Sequence, residues 1–98
     1  MNSEFTSQAM DDVKELNSAQ LKAVKSKVDE LEEDPTEHED VKLIRVKGRE
    51  LYRIKVRTER GAEIDHRIVY DIVDGKIIIY SVIDRDSGYD KNELADRI

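Results

Sequence analysis

Apolar and polar residues alternate through the middle of the chain, as they do in half-buried β-strands. Between positions 51 and 57, the alternate residues Tyr52, Ile54 and Val56 are aromatic or apolar. The positions between them are the cations Arg53, Lys55 and Arg57. Because successive side chains of a strand face opposite ways, the first set can enter a core while the cations line the other face. A row of cations on one face of a sheet suits an anionic ligand.

Further strands are predicted on both sides of this one. Residues 66–73 and 76–83 form the next two, and the dipeptide Asp74-Gly75 between them is a two-residue hairpin signal. Residues 41–46 form a short strand or an extended connector before a turn at Lys47-Gly48-Arg49. The run 77–80 is apolar at every position, which is typical of a central strand covered on both faces.

Two amphipathic helices are predicted before the strands. Apolar residues recur at helical spacing in residues 5–16, and Thr6 or Ser7 can cap the first turn. Asn17 or Ser18 can cap a second helix, whose apolar stripe is Leu21, Val24, Val28 and Leu31. So narrow a stripe is interpreted as core. The predicted fold is α+β, an N-terminal helical hairpin packed on a small antiparallel β-sheet, with a last helical turn or two in residues 92–98.

Length and composition restrict the classes of protein to consider. A chain of 98 residues supports one domain, which is expected to span residues 1–98. It has no cysteine, so neither a disulfide framework nor a thiolate metal site is available. No apolar run approaches the roughly 20 residues needed to cross a bilayer, and the N-terminus lacks the regions of a signal peptide. We therefore expect a cytoplasmic protein with no membrane partner.

The charge of the chain is divided unevenly along its length. The net charge is −6, which argues against binding a polyanion if it is taken as a whole. Residues 1–40 hold twelve carboxylates against four lysines, whereas residues 42–67 hold nine cations against four carboxylates. The acidity is therefore local, and the segment that carries the cation row can attract phosphate while the rest of the surface is acidic.

Two other features of the chain carry groups that can bind metal or transfer protons, the acidic run 32–40 and the two histidines. The acidic run 32–40 supplies many carboxylates but lacks the glycine turn and ligand spacing of a calcium loop, so a solvated linker is predicted and no metal is expected. His38 has no second histidine at ligand spacing. By alternation His66 shares a face with Ile68 and Tyr70, which favours the core over an acid–base role.

The order of elements resembles the RelE/ParE toxin superfamily of bacterial and archaeal toxin–antitoxin systems. The resemblance covers nearly the whole chain: a first strand reduced to about residues 2–5, two helices before Pro35, then Val46-Lys47-Gly48, the strand 51–56, the strand 67–72, and Asp84-Arg85 before Tyr89. No single motif is specific, but the joint order is. The superfamily contains ribosome-dependent messenger-RNA endonucleases and gyrase inhibitors, and each is paired with an antitoxin protein.

The resemblance implies a catalytic set for metal-independent RNA cleavage without a cofactor. Basic residues on the strand after the Lys-Gly turn, at the start of the next strand and beyond the last strand, with a following tyrosine, correspond to Arg53, Lys55, Arg67, Arg85 and Tyr89. Arg53 and Arg67 would clamp phosphate, because guanidinium forks match its oxygens and stay charged. Further RNA contacts are predicted for Lys47, Arg49 and Arg57. The partners implied are a cognate antitoxin, the ribosome and messenger RNA.

Other interpretations of the same residues stay open. The cations on the strand 51–57 can be its solvated face, and Arg67 can pair with Asp65 or Glu63 across the hairpin mouth. The chain can also be a binding or regulatory module of this fold without catalysis, or a ParE-like inhibitor of a topoisomerase. A full set of catalytic groups favours RNA cleavage, since ParE-type toxins usually lack it.

Overall fold

A computed structural model describes residues 1–56, 66–84 and 91–98 of the chain. In chain order, the strands and helices of these residues are β1 (Asn2–Phe5), α1 (Ser7–Lys14), α2 (Ser18–Glu33), β2 (Val41–Val46), β3 (Arg49–Val56), β4 (His66–Val73), β5 (Lys76–Asp84) and α3 (Lys91–Arg97). The predicted α+β class is confirmed. The connector predicted over 41–46 is a strand, and the hairpin loop predicted over 58–65 lies outside the described residues.

The sheet is mixed and not wholly antiparallel, which corrects the prediction. In the described part of the chain its strand order is β1-β5-β4-β3-β2. The four later strands pair antiparallel, but β1 pairs parallel with β5, from Asn2 opposite Lys76 to Phe5 opposite Ile79. The first element of the chain is thus the strand β1, as the resemblance implies for residues 2–5, and Phe5, which helical spacing had placed with the first helix, belongs to this strand. A pairing between the two ends of the chain leaves no local sequence signal.

The two tight turns of the sheet follow from their sequences. Lys47 and Gly48 both have positive φ angles, 47° and 80°, and so do Asp74 and Gly75, at 51° and 75°. Positive φ at both central residues is the geometry of a type I′ turn, whose twist matches that of the flanking strands. Glycine adopts it without the steric cost that a Cβ atom brings.

Side-chain caps start both N-terminal helices. The Thr6 hydroxyl accepts a hydrogen bond from the amide of Ala9 at 3.2 Å, and the Asn17 side chain accepts one from the amide of Gln20 at 2.9 Å. The Gln20 side chain in turn accepts a hydrogen bond from the Asn17 amide at 3.0 Å, and the two bonds together form a capping box. Each cap satisfies amides that the first helical turn leaves without partners.

The helices α1 and α2 cover one face of the sheet, and their packing on each other as a hairpin stays a prediction. Helix α1 packs mainly on β5, whereas α2 packs on β1 and β3. The core on this face, the helix-side core, is built from Ala9, Val24, Val28, Leu31, Ile54, Val56, Ile68, Tyr70, Ile77, Ile79 and Val82. Three residues of the predicted stripe of α2, Val24, Val28 and Leu31, are thus part of the core, whereas Leu21 is half-buried.

A buried tyrosine forms a hydrogen bond with the loop that follows α2. Tyr70 is fully buried, stacks on Tyr52 with ring centroids 5.4 Å apart, and donates a hydrogen bond to the Pro35 carbonyl at 2.5 Å. Burial of the phenol raises the pKa of Tyr70. The aromatic residues predicted as core or rim on β3 and β4 therefore have that role.

Candidate functional site

The other face of the sheet, here called the α3 face, has two unlike ends. At one end Val46, Leu51, Val69 and Tyr80 form a second apolar cluster, which Leu94 of α3 covers. Alternation along β3 puts Arg49, Leu51, Arg53 and Lys55 on this face, since Tyr52, Ile54 and Val56 contact the helix-side core. The half of the face that carries Arg53 and Lys55 adjoins this cluster, since Val69 lies opposite Arg53.

Strand pairing gathers four cations at that second end. Arg53 lies opposite Lys42 of β2, and Lys55 lies opposite Arg67 of β4. Directly opposed residues have Cβ atoms about 4.5–5.5 Å apart, and residues two apart on a strand are about 7 Å apart. These four residues, Lys42, Arg53, Lys55 and Arg67, are called the cation patch. Arg53, Lys55 and Arg67 are half-buried, whereas Lys42 is exposed.

Arg53 is incompletely satisfied within the fold. Its Nη1 atom is buried and has no hydrogen-bond partner, a state that it shares with one other side-chain atom of the described residues, His66 Nδ1. A buried donor without a partner costs free energy, and the cost is larger for a charged group. An anion with oxygen acceptors at this position would remove that cost.

Three of the four cations of the patch have no paired carboxylate in the part of the chain that the structure describes. No carboxylate of residues 1–56, 66–84 or 91–98 forms a salt bridge with Lys42, Arg53 or Lys55. Like charges directly opposite each other on neighbouring strands destabilise a sheet. A cluster that is unfavourable for folding and well placed for an anion is typical of a binding site.

Two of the predicted RNA contacts lie far from the patch. Lys47 is at the β2–β3 turn and Arg49 begins β3, so four residues, or about 13 Å, separate Arg49 from Arg53, the nearest cation of the patch on this strand. Arg49 donates to Asp71 at 2.8 Å and to the Tyr80 hydroxyl at 3.1 Å. The hydrogen bond to Asp71 raises the pKa of Arg49, so this guanidinium is held by the fold.

Of the residues predicted to be catalytic or to contact RNA, three lie outside the described residues: Arg57, Arg85 and Tyr89. The structure brings Arg53, Lys55 and Arg67 together. Lys42 was not predicted. The sequence places Lys42 in the predicted strand 41–46, but only the register of β2 against β3 shows that Lys42 lies opposite Arg53. His66 is buried and its partner positions are Val56 and Asp84, in agreement with a place on the helix side.

The acidic loop after α2 is tied by hydrogen bonds. His38 Nε2 lies 3.3 Å from a Glu30 carboxylate oxygen, and the Asp40 amide donates to His38 Nδ1 at 3.1 Å. Burial alone would raise the pKa of Glu30, but hydrogen bonds from Lys27 and His38 outweigh it and lower the pKa. Within the described ranges, no three histidine or carboxylate side chains are grouped so as to hold a metal ion.

Comparison with known proteins identifies the family. The family model described as the ParE toxin of the type II toxin–antitoxin system parDE matches residues 4–89. The chain belongs to the ParE toxin family. It is therefore a toxin of the type II toxin–antitoxin class, and the predicted place in the RelE/ParE superfamily is confirmed. No curated protein matches the sequence.

Two solved structures share the fold of this ParE-family chain. A free-state double arginine-to-alanine mutant of the E. coli toxin RelE has a TM-score of 0.73 and 24% identity, and the match covers 99% of this chain and 96% of that one. The intact E. coli RelBE toxin–antitoxin complex has a TM-score of 0.61 and 24% identity, covering 83% of this chain and 92% of that one. At this identity the likeness establishes the fold alone. None of the helices in the described ranges is long and apolar enough to span a membrane.

Proposed function

We propose that this toxin is a metal-independent, ribosome-dependent endonuclease of messenger RNA, which inhibits translation in the cytoplasm. The observation that carries the proposal is the guanidinium of Arg53, whose buried Nη1 atom has no partner and which is one of the four cations that strand pairing brings together. A phosphodiester supplies the acceptor oxygens that Arg53 Nη1 lacks, and it brings negative charge beside Lys42 and Lys55.

The reaction that suits these residues is an internal transfer of the phosphoryl group. The ribose 2′-oxygen attacks its own 3′-phosphorus while the bond from phosphorus to the 5′-oxygen breaks. The products are a 2′,3′-cyclic phosphate and a 5′-hydroxyl, and the 2′ proton passes to a base while an acid protonates the leaving oxygen. The phosphorane gathers negative charge, so preorganised cations stabilise the transition state more than the ground state.

Each predicted residue has a role in this scheme. Arg53 and Arg67, on neighbouring strands, clamp the non-bridging phosphate oxygens, and Lys42 adds charge at the exposed side. Lys55, directly opposite Arg67, or Tyr89 accepts the 2′ proton. Arg85 stabilises or protonates the leaving oxygen. Lys47, Arg49 and Arg57 are proposed as outer RNA contacts, and the first two would meet RNA well away from the reacting phosphate.

The partners follow from the class of protein. A type II toxin is paired with a protein antitoxin, and one structural neighbour is a toxin–antitoxin complex. We expect the antitoxin to place carboxylates on the cation patch, because charge complementarity of this kind both accelerates binding and sets its register. The ribosome and its messenger are the expected target.

Inhibition of a topoisomerase is the second candidate, because the matching family model is that of ParE. Such an inhibitor needs a docking surface but no reacting phosphate at Arg53. The two functions differ in which macromolecule is damaged first, the messenger or the chromosome.

The test is inducible expression of the wild type beside Arg53→Ala and the double variant Arg67→Ala, Arg85→Ala, with Arg45→Ala as matched control. Arg45 is an exposed arginine of β2 whose partner is Glu50 at 3.2 Å. Primer extension on cellular messengers within minutes of induction should show cuts inside translated frames for the wild type and the control, and not for the patch variants.

Other results would contradict the proposal. Equal cutting by folded Arg53→Ala would remove the patch from the reaction. Chromosome damage before any messenger is cut would favour the topoisomerase inhibitor. Growth without either lesion would favour a binding or regulatory module that has no toxicity.

A further inference from the structure

One residue of the last sheet strand, Tyr80, is an extra residue in the pairing of β4 with β5. Val69 lies opposite Ser81, but its neighbour Tyr70 lies opposite Ile79, so the register shifts by one residue. This β-bulge reverses the alternation of β5. Ile77 and Ile79 contact the helix-side core before it, and Val82 does so after it, which leaves Ile83 on the α3 face.

The reversed segment is the part of β5 that supports the cation patch. Ile83 is the pairing partner of Arg67, and Arg67 is in turn the partner of Lys55. Bulges are enriched next to active sites, where they aim side chains. The direction of the Arg67 backbone therefore depends on β5 keeping its register after the bulge.

The bulge lies where β5 loses its neighbour on the outer side. β1 pairs with β5 only as far as Ile79, whose carbonyl also accepts the Thr6 amide at 3.0 Å. Beyond that point the edge of β5 would present the Tyr80 carbonyl and the Val82 amide without strand partners. Free edge groups weaken a strand and make its register easier to change.

An ion pair between Asp12 and Arg97, from the two ends of the chain, forms hydrogen bonds with these edge groups. The Asp12 carboxylate of α1 accepts the Val82 amide at 3.0 Å and the Ser81 hydroxyl at 3.4 Å. Arg97 of α3 donates to the Tyr80 carbonyl at 3.2 Å and to the Ser81 hydroxyl at 3.0 Å. Arg97 also grips Asp12 with two bonds, of 2.6 and 3.2 Å. Both side chains are largely buried.

We propose that Asp12, held by Arg97, is a positioning residue for the cation patch, because it fixes the register of the bulged segment of β5 that supports Arg67. The function that it serves rests on the proposed endonuclease activity, but the effect on Arg67 does not. Asp12 lies on the opposite side of β5 from β4, so it acts only through the strand between them.

The variants separate the charge of Asp12 from its hydrogen bond. Asp12→Ala removes both, whereas Asp12→Asn keeps an oxygen acceptor for the Val82 amide and loses the ion pair with Arg97. The matched control is Asp11→Ala, which removes an exposed carboxylate from the same helix. That carboxylate lies 3.9 Å from the Lys14 ammonium. Arg97→Lys keeps the positive charge but loses the bidentate hydrogen bonding to the Asp12 carboxylate.

The first measurement is NMR on the folded proteins, and it does not require cleavage. In Asp12→Ala we expect amide exchange at Val82 to accelerate about tenfold and the Arg67 Nε–H resonance to shift. Exchange at Ile44 and Ile54 of β2 and β3 should keep its wild-type rate, as should every amide measured in Asp11→Ala. Asp12→Asn and Arg97→Lys should fall between wild type and Asp12→Ala.

The second measurement is single-turnover cleavage of ribosome-bound messenger. Asp12→Ala should lower the rate of the cutting step by about tenfold while ribosome binding stays within about twofold, since a displaced phosphate clamp harms the transition state more than binding. An unchanged Arg67 resonance in folded Asp12→Ala would overturn the inference. A wild type that does not cut would overturn the proposed function instead, and the NMR result would still decide the role of Asp12.

Discussion

Arg49 and Arg53 lie on the same strand and the same face of the sheet, yet their guanidinium groups have opposite surroundings. Arg49 donates to Asp71 and Tyr80, and its charge lies 5.6 Å from the centre of the Tyr80 ring. Arg53 has a buried nitrogen without a partner and Lys42 directly opposite. The first arginine is satisfied by the fold, whereas the second keeps a buried donor without a partner. Residue type alone therefore does not identify a functional cation.

The same contrast holds for whole regions of the molecule. At the end of the α3 face that α3 covers, apolar residues and the Arg49–Asp71 pair stabilise the sheet. At the other end, like charges oppose each other, which is unfavourable for folding. Proteins accept such local costs at sites whose function requires them.

The largest effect is expected from Arg53→Ala. Messenger cleavage should fall about hundredfold, because one preorganised donor to a developing oxyanion is removed. The free energy of unfolding should change by less than about 1 kcal/mol, since losing a poorly paired guanidinium offsets the lost packing. Primer extension and urea denaturation measure the two quantities. A large loss of stability would mean that Arg53 serves the fold as Arg49 does.

The converse is expected at the other end of the strand. Arg49→Ala should lower the free energy of unfolding by about 2 kcal/mol, because it leaves the largely buried Asp71 carboxylate without its cation. Urea denaturation checks this, with Arg45→Ala as the control, since an exposed pair contributes below about 1 kcal/mol. Stability equal to that of the wild type would contradict the structural role assigned to Arg49.

A smaller effect should distinguish the patch as an anion site. Inorganic phosphate at about five times its dissociation constant should stabilise the wild type by about 1 kcal/mol, which raises the midpoint of thermal unfolding by several degrees. Arg53→Gln should lose this gain, whereas Arg45→Gln should keep it. Sodium chloride at equal ionic strength is the reference. An equal gain in all three proteins would indicate general screening and not a site.

The smallest effect concerns a paired carboxylate. Because the pKa of Glu30 is lowered in the folded protein, its contribution to stability is present above its ordinary value of 4.5 and is lost as the pH falls through the lower, folded value. Glu30→Gln should therefore show a shallower loss of stability below about pH 4.5. Thermal unfolding from pH 6 to pH 3 measures it, and identical slopes for both proteins would contradict the pairing with Lys27 and His38.

Much of the local structure was predictable because neighbouring residues determine it. Asp74-Gly75 and Lys47-Gly48 form turns because both residues of each pair adopt positive φ. The side chains of Thr6 and Asn17 cap helices because a short polar side chain can accept a hydrogen bond from an amide of the first turn. The alternation along β3 was enough to divide Tyr52 and Ile54 from Arg53 and Lys55.

The rest depended on contacts between distant segments. The sequence by itself determined the α+β class, the strand that carries the cations and the resemblance to toxins, because periodicity and turn chemistry act within a few residues. Only the tertiary structure decided that β1 runs parallel to β5, that Arg49 is neutralised by Asp71, and that Lys42 joins the patch. It also decided that Asp12 and Arg97, 85 residues apart, hold the bulged edge of β5. Register and ion pairing at such separations arise from the packing of the whole chain, and no local pattern encodes them.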